Sequence, residues 1–125
     1  MTDLQLLLAV MLACGLASVA RYGLSLLASR DRFPWPTIAA NVAGTAILAS
    51  GLALYAAGSL GADAFVVLGV GLAGGLTTFS TLAVDAARLW RSGKRRAFTA
   101  YLALTLGCGL AASWLAWTTT VAALV

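Results

Sequence analysis

Gly71 to Thr81 reads G-L-A-G-G-L-T-T-F-S-T, inside an apolar run that extends from about Ala64 to Trp90. A run of that length is enough for a helix to cross a bilayer, which takes roughly 20 residues. Yet Gly71, Gly74 and Gly75, with the hydroxyls of Thr77, Thr78, Ser80 and Thr81, make a poor helix interior. Each glycine costs about 1 kcal/mol against alanine there. Gly71 and Gly75 form G-x-x-x-G, a spacing that lets two helices approach closely, but it leaves Gly74 and the hydroxyls unexplained. Backbone that departs from helical geometry at membrane depth survives only where protein or a wet cavity surrounds it. The stretch therefore predicts a membrane helix broken near mid-membrane, with a site at the break.

The remainder of the chain supports a bilayer as solvent. Of its 125 residues 62% are hydrophobic and only 10% charged, against about 25% charged in soluble domains. The apolar runs predict an all-α membrane protein of one domain, 1–125, with four transmembrane helices at about 4–28, 35–57, 64–90 and 97–121. The first run does not read as a signal peptide, which needs positive charge ahead of its apolar core; only Asp3 stands there. Four helices bury little among themselves, so a pore or carrier would need a second chain. No histidine is present, and Cys14 and Cys108 lie in apolar runs far from any C-x-x-C pattern. Zinc and haem sites of the usual kinds are therefore unsupported, and the thiols read as small apolar fillers. With no P-loop, nucleophile elbow or paired carboxylates, nothing supports an enzyme.

A net charge of +4 invites nucleic acid as a partner, but the placement of the charges argues for a lipid bilayer instead. Of eight Lys and Arg, seven (Arg30, Arg32, Arg88, Arg91, Lys94, Arg95 and Arg96) fall in the first and third loops. The positive-inside rule places those two loops in the cytoplasm and both termini outside. A chain that inserts equally in both orientations should show little such bias.

Polar residues recur at helical spacing inside the spans. Thr37, Asn41 and Thr45 share one face of the second helix, and Tyr101, Thr105, Gly109 and Ser113 share one of the fourth. Ala40 and Gly44 add a small-xxx-small pair. Asn and Thr at such positions serve either as interhelical glue or as the lining of a path. Pro34 and Pro36 suit the first turn of the second helix. Phe33, Trp35, Trp114 and Trp117 suit the interfacial belts. Asp85 can pair with Arg88 at i,i+3. Arg21 either snorkels toward the interface or faces an aqueous vestibule. No acid sits at mid-helix depth, so a proton-coupled cation exporter lacks the carboxylate it needs. Hydroxyls, an amide, a phenol and a ring edge offer partial positive charge, which favours a small anion.

These residues resemble the CrcB/Fluc fluoride channels along essentially the whole chain. G-G-L-T-T-F-S-T at Gly74 to Thr81 is the strongest match. Arg21 with Tyr22, N-x-x-G at Asn41 and Gly44, and Tyr101 follow in the same order. The resemblance implies a four-helix subunit in an antiparallel dimer, with two narrow pores passing fluoride passively out of the cytoplasm and relieving its toxicity. It implies a multi-pass protein of the cell inner (plasma) membrane. It also implies a structural sodium ion, not transported, held at the break by backbone carbonyls matching Gly74 and Thr77. Phe79, with Ser80 and Thr81 beside it, would face the pore. Asn41 would contact fluoride, Thr37, Tyr101 and Thr105 would line the polar track, and Arg21 would lie toward a vestibule. Two positions depart from the pattern: Leu82 stands where a second Phe is frequent, and Gly109 where serine is frequent. Together with the charge bias they suggest an oppositely oriented paralogue as partner, in place of a homodimer of dual topology. The rivals are a small multidrug-type exporter and a structural membrane subunit.

Overall fold

The computed structural model describes residues 1–27 and 33–125, and among them there is no strand. Helix α1 runs Asp3–Ser25, α2 Trp35–Ala56, α3 Ala62–Val66, α4 Gly74–Leu76, α5 Phe79–Arg91 and α6 Arg95–Ala122; a π-helical stretch, Val67–Ala73, joins α3 to α4. The helical regions Asp3–Ser25, Trp35–Ala56, Ala62–Arg91 and Arg95–Ala122 are each long and apolar enough to cross a membrane. The chain is thus a multi-pass membrane protein of four spans.

The helix ends follow local chemistry. Thr2 opens α1 with a capping box: its Oγ1 accepts from Gln5 N–H at 3.3 Å, and Gln5 Oε1 accepts from Thr2 N–H at 3.0 Å. The first helix stops at Ser25, short of Ala28, because the N–H of Leu27 turns back to Leu24 O at 3.1 Å, an i→i−3 bond that tightens the end. Of the break expected from Ser29 to Pro36, Ser29 and the charged Arg30, Asp31 and Arg32 lie outside the described residues, as does the expected helix end at Ala28. At the other turns glycine ends the helix. Gly58 and Gly93 have φ of 72° and 71°, the left-handed conformation that glycine adopts without strain. After each, the next N–H reaches back five residues, Ser59 to Leu54 O at 2.9 Å and Lys94 to Leu89 O at 3.1 Å, closing a Schellman motif. The basic loop of Arg88 to Arg96 is thereby reduced to residues 92–94, with Arg88 and Arg91 in the last turn of α5. There they complement the helix dipole.

α2 packs most extensively on α6, while α1 lies against the π-helical stretch and α4 and only lightly on α2. Glycine makes the α1 contact possible. A Cβ on Gly71 would stand 2.9 Å from Ala13 Cβ, and one on Gly75 2.5 Å from the carbonyl oxygen of Cys14. Gly71 and Gly75 are therefore the close-packing pair, and Gly74 is not: it is exposed, and a Cβ there would meet only Gly69 O at 3.6 Å. Gly44 seats α2 against Thr77 in the same way, with Cγ2 of Thr77 2.5 Å from a Cβ at that position. The small core of Ile38, Ala86, Leu89 and Tyr101 lies where α2, α5 and α6 meet. Leu8, Leu12, Leu16, Leu106 and Leu110 remain exposed, as suits side chains in contact with lipid or a partner.

Candidate functional site

Helical geometry stops at Leu76 and resumes at Phe79, with Thr77 (φ −76°, ψ 153°) and Thr78 (φ −150°, ψ 117°) extended between. Where the ladder's hydrogen bonds go instead accounts for the geometry. In an unbroken helix Thr78 N–H would donate to Gly74 O; here it donates to Asn41 Oδ1 at 2.7 Å. Asn41 Nδ2 donates in return to Thr78 O at 3.3 Å. Thr81 N–H, which would have served Thr77 O, donates to Thr78 Oγ1 at 3.2 Å, so Thr78 caps α5. The carbonyls of Gly74 and Thr77 thus both lose their helical donors to side chains. The Thr77 hydroxyl approaches Gly74 O, at 3.4 Å. Freed carbonyls are hard oxygen ligands of the kind a small cation takes, and the missing Cβ at Gly74 keeps the approach open. Among the described residues no cluster of His, Cys, Asp or Glu offers an alternative metal site.

Beside the break an open cavity of about 380 Å³ is lined by Asn41, Thr45, Thr77, Thr78, Phe79, Leu82, Thr105, Leu106, Gly109 and Leu110. It unites the stripes of α2 and α6 with the break. Phe79 is 83% exposed at its edge. Thr45 Oγ1 donates to Asn41 O at 2.7 Å and Thr105 Oγ1 to Tyr101 O at 2.8 Å. Their protons are therefore held by the helices' own carbonyls, and a hydroxyl must rotate to donate to an anion in the cavity. Leu82 and Gly109, the two departures from the expected pattern, both line this cavity.

A smaller cavity of about 170 Å³ lies on the other side of Thr78, lined by Arg21, Ser25, Pro36, Thr37, Thr78 and Thr81. A third, of about 610 Å³ between α2 and α6, continues past Leu110 to Ser113, Trp114 and Trp117. Thr78 lines both of the first two cavities, and Leu110 lines both the first and the third. Ser80 Oγ lies 3.3 Å from Thr78 Oγ1 and faces outward.

Thr37 and Tyr101 turn from the large cavity. Thr37 Oγ1 donates to Asp85 Oδ2 at 2.8 Å, and Arg88 holds Asp85 Oδ1 at 3.0 Å, the i,i+3 pair the sequence suggests. The carboxylate is buried and neutralised by that pair. Tyr101 is 0% exposed, packed edge-on against Phe33 at 6.0 Å between ring centroids. Among the described residues no group completes a hydrogen bond to its hydroxyl. Arg21 Nε and Ser18 Oγ both donate to Gly75 O, at 3.2 and 3.4 Å. Ser18 belongs to no motif; its only trace in the sequence is the spacing of Cys14, Ala17, Ser18 and Arg21 along one face of α1.

The family model described as CrcB-like protein, Camphor Resistance (CrcB), matches residues 8–117, a span that includes every residue of the break and of its cavities. The chain belongs to the CrcB family. Curated relatives of this CrcB chain agree. It is 39% identical over 115 residues to the Fluoride-specific ion channel FluC of Renibacterium salmoninarum, covering 83% of this chain and 90% of that one. It is 44% identical over 85 residues to the Fluoride-specific ion channel FluC 1 of Symbiobacterium thermophilum, covering 66% and 68%. It is 36% identical over 109 residues to the Fluoride-specific ion channel FluC of Thermus thermophilus, covering 83% and 87%.

Proposed function

We propose that this chain is a subunit of a passive fluoride channel that works as an antiparallel dimer with two pores and a structural sodium ion. The observation that carries the reading is the Asn41–Thr78 clamp. It frees the Gly74 and Thr77 carbonyls on one side of the break and puts Asn41, Phe79 and Thr105 around a cavity on the other. The sodium ion would sit on the exposed Gly74 side, where a second chain supplies matching carbonyls. Fluoride would pass along Arg21, Thr37, Thr81, Asn41, Phe79 and Thr105, with Ser80 beside Phe79; Tyr101 is buried away from these cavities. Stripping a strongly hydrated anion needs replacement donors, and multiple weak sites let it leave again. An edge-on ring adds its positive rim. A cation exporter would need a free carboxylate at membrane depth, and Asp85 is engaged by Thr37 and Arg88.

The test is fluoride efflux from liposomes containing the purified protein, followed with a fluoride electrode and with chloride as control. Rapid fluoride loss without chloride loss is expected; absence of fluoride flux from well-folded dimers would refute the channel. Phe79→Ile should lower flux roughly tenfold, because an aliphatic side chain keeps the bulk but has no quadrupole, with assembly intact by size-exclusion. Unchanged flux would remove Phe79 from the pore.

A specific observation favours an unequal pair. Leu82 and Gly109, lacking a ring and a donor, lie in one cavity with Phe79, and seven of the eight Lys and Arg fall in the first and third loops of the sequence. A partner of opposite orientation would supply the missing groups. Reporter tags on the termini should read outside in nearly all molecules. An even split between inside and outside would establish dual topology and overturn the fixed orientation.

A further inference from the structure

We infer that Arg21, together with Ser18, is a positioning residue for the carbonyl site at the break, beyond any role of its charge in a vestibule. The inference rests on the sodium reading above. It starts from the peptide carbonyl of Gly75. In a continuous helix that oxygen would accept from Phe79 N–H, but the extended Thr77 and Thr78 break the ladder. A carbonyl left unpaired in a membrane costs several kcal/mol, since no water is present to satisfy it. Ser18 Oγ and Arg21 Nε, both on α1, supply the donors.

The direction of Arg21 separates the two uses of an arginine near a helix end. A snorkelling side chain would extend outward past Ser25 toward the headgroups. Arg21 Nε instead donates to the carbonyl of Gly75, the residue that packs closely against Cys14 and Ala17 of the same helix. The contact is shared by a face of small residues, so α1 can approach closely enough for both bonds to form. Ala17 is buried there, and Ser18 and Arg21 are half-buried.

Pinning Gly75 matters because Gly74–Leu76 is the last turn of the helical run from Ala62, directly before the extended Thr77 and Thr78. The carbonyls of a last turn have no following N–H groups in the ladder, so contacts from outside it fix their direction. Those contacts are Asn41 on Thr78, just beyond the turn, and Ser18 and Arg21 of α1 on Gly75 within it. Successive carbonyls around a helix diverge by about 100°, from 3.6 residues per turn. With the Gly75 carbonyl fixed toward α1, that of Gly74 is turned about 100° from it, and Gly74 itself is exposed. Arg21 thereby sets the aim of a ligand it does not touch.

The experiment measures the thermal midpoint of the purified full-length dimer against sodium concentration, with potassium replacing sodium, and fluoride efflux under the same conditions. Arg21→Met should raise the sodium concentration that gives half the stabilisation by roughly tenfold, the loss of one charge-assisted hydrogen bond. Ser18→Ala, which leaves the Arg21 charge in place, should raise it by about threefold. Arg21→Lys, which keeps a donor and the charge, should fall between wild type and Arg21→Met. Sodium response unchanged in Ser18→Ala and Arg21→Met, with only flux reduced, would overturn the inference and leave Arg21 as a vestibule charge. Should Arg21→Met fail to yield dimers, an unshifted Ser18→Ala overturns it alone. A wild-type midpoint indifferent to sodium would instead overturn the sodium reading, a distinct result.

Discussion

Gly75→Val is expected to abolish recovery of folded protein, while Gly15→Val on α1 is tolerated. A first side-chain carbon on Gly75 would stand 2.5 Å from the Cys14 carbonyl oxygen, 2.9 Å from Cys14 Cα and 3.0 Å from Ala17 Cβ. Two of those three atoms are backbone of a 23-residue helix, so no rotamer change relieves the clash. Overpacking a tight core costs about 1–3 kcal/mol when neighbours can shift; here α1 must move as a body. Its displacement would also withdraw Ser18 and Arg21 from the Gly75 carbonyl, leaving that oxygen unsatisfied. The loss is thus coupled across packing and hydrogen bonding, and valine, branched at Cβ, offers no smaller shape. A Cβ on Gly15 meets nothing within 4 Å, so valine there changes only helix propensity, by a few tenths of a kcal/mol in its favour over glycine. Fluorescence-detected size-exclusion of both variants would check the contrast. A normal dimer peak for Gly75→Val would mean that α1 does not rest on this glycine.

How much of this was legible in the sequence depends on the range of each interaction. Local rules carried far: the apolar runs marked the spans, Gly71 and Gly75 at i,i+4 marked the close face and left Gly74 out of it, and Asp85 to Arg88 at i,i+3 is an ion pair. The third loop is shorter than its charge run suggested, because Gly93 closes the helix at once and α6 begins on basic residues. What escaped was set by contacts distant in sequence. Thr37, Asn41 and Thr45 share a periodicity, yet Thr37 turns to an acid 48 residues away and only Asn41 and Thr45 line the cavity. A helical stripe indicates a common face, and the neighbours decide which side chain meets which. The π-helical stretch at Val67–Ala73 had no specific signal either: Gly69 and Gly71 weaken an α-helix without naming the geometry that replaces it. Within it Gly71 packs closely against Val10 and Ala13 of α1, a contact distant in sequence.

Asn41 is where the fold and the proposed conduction meet, and two substitutions should separate them. Asn41→Leu keeps the branched outline of the side chain and removes both hydrogen bonds to Thr78. Thr78 N–H and O are then unpaired in a medium that offers no substitute, at about 1–3 kcal/mol each. The cheapest relief is for Thr78 N–H to return to Gly74 O and extend the helix through the break, which would consume the carbonyl proposed for sodium. The expected result is a protein that melts at lower temperature or not as a dimer, with fluoride flux absent. Asn41→Asp is a different perturbation. Its carboxylate still accepts from Thr78 N–H, so the bond at 2.7 Å, the shorter of the two, survives. It cannot donate to Thr78 O, and it places a negative charge beside the path of an anion. At 4 Å and an effective dielectric constant of about 20, like charges repel by about 4 kcal/mol, which is on the order of a thousandfold in rate. Asn41→Asp should therefore assemble and respond to sodium close to the wild type, yet pass fluoride at least a hundredfold more slowly. Equal loss of assembly in both variants would reduce Asn41 to a structural clamp, and normal flux in Asn41→Asp would take the anion path elsewhere. The predicted divergence, assembly kept and conduction lost, belongs only to a side chain that holds the break with one face and meets the ion with the other.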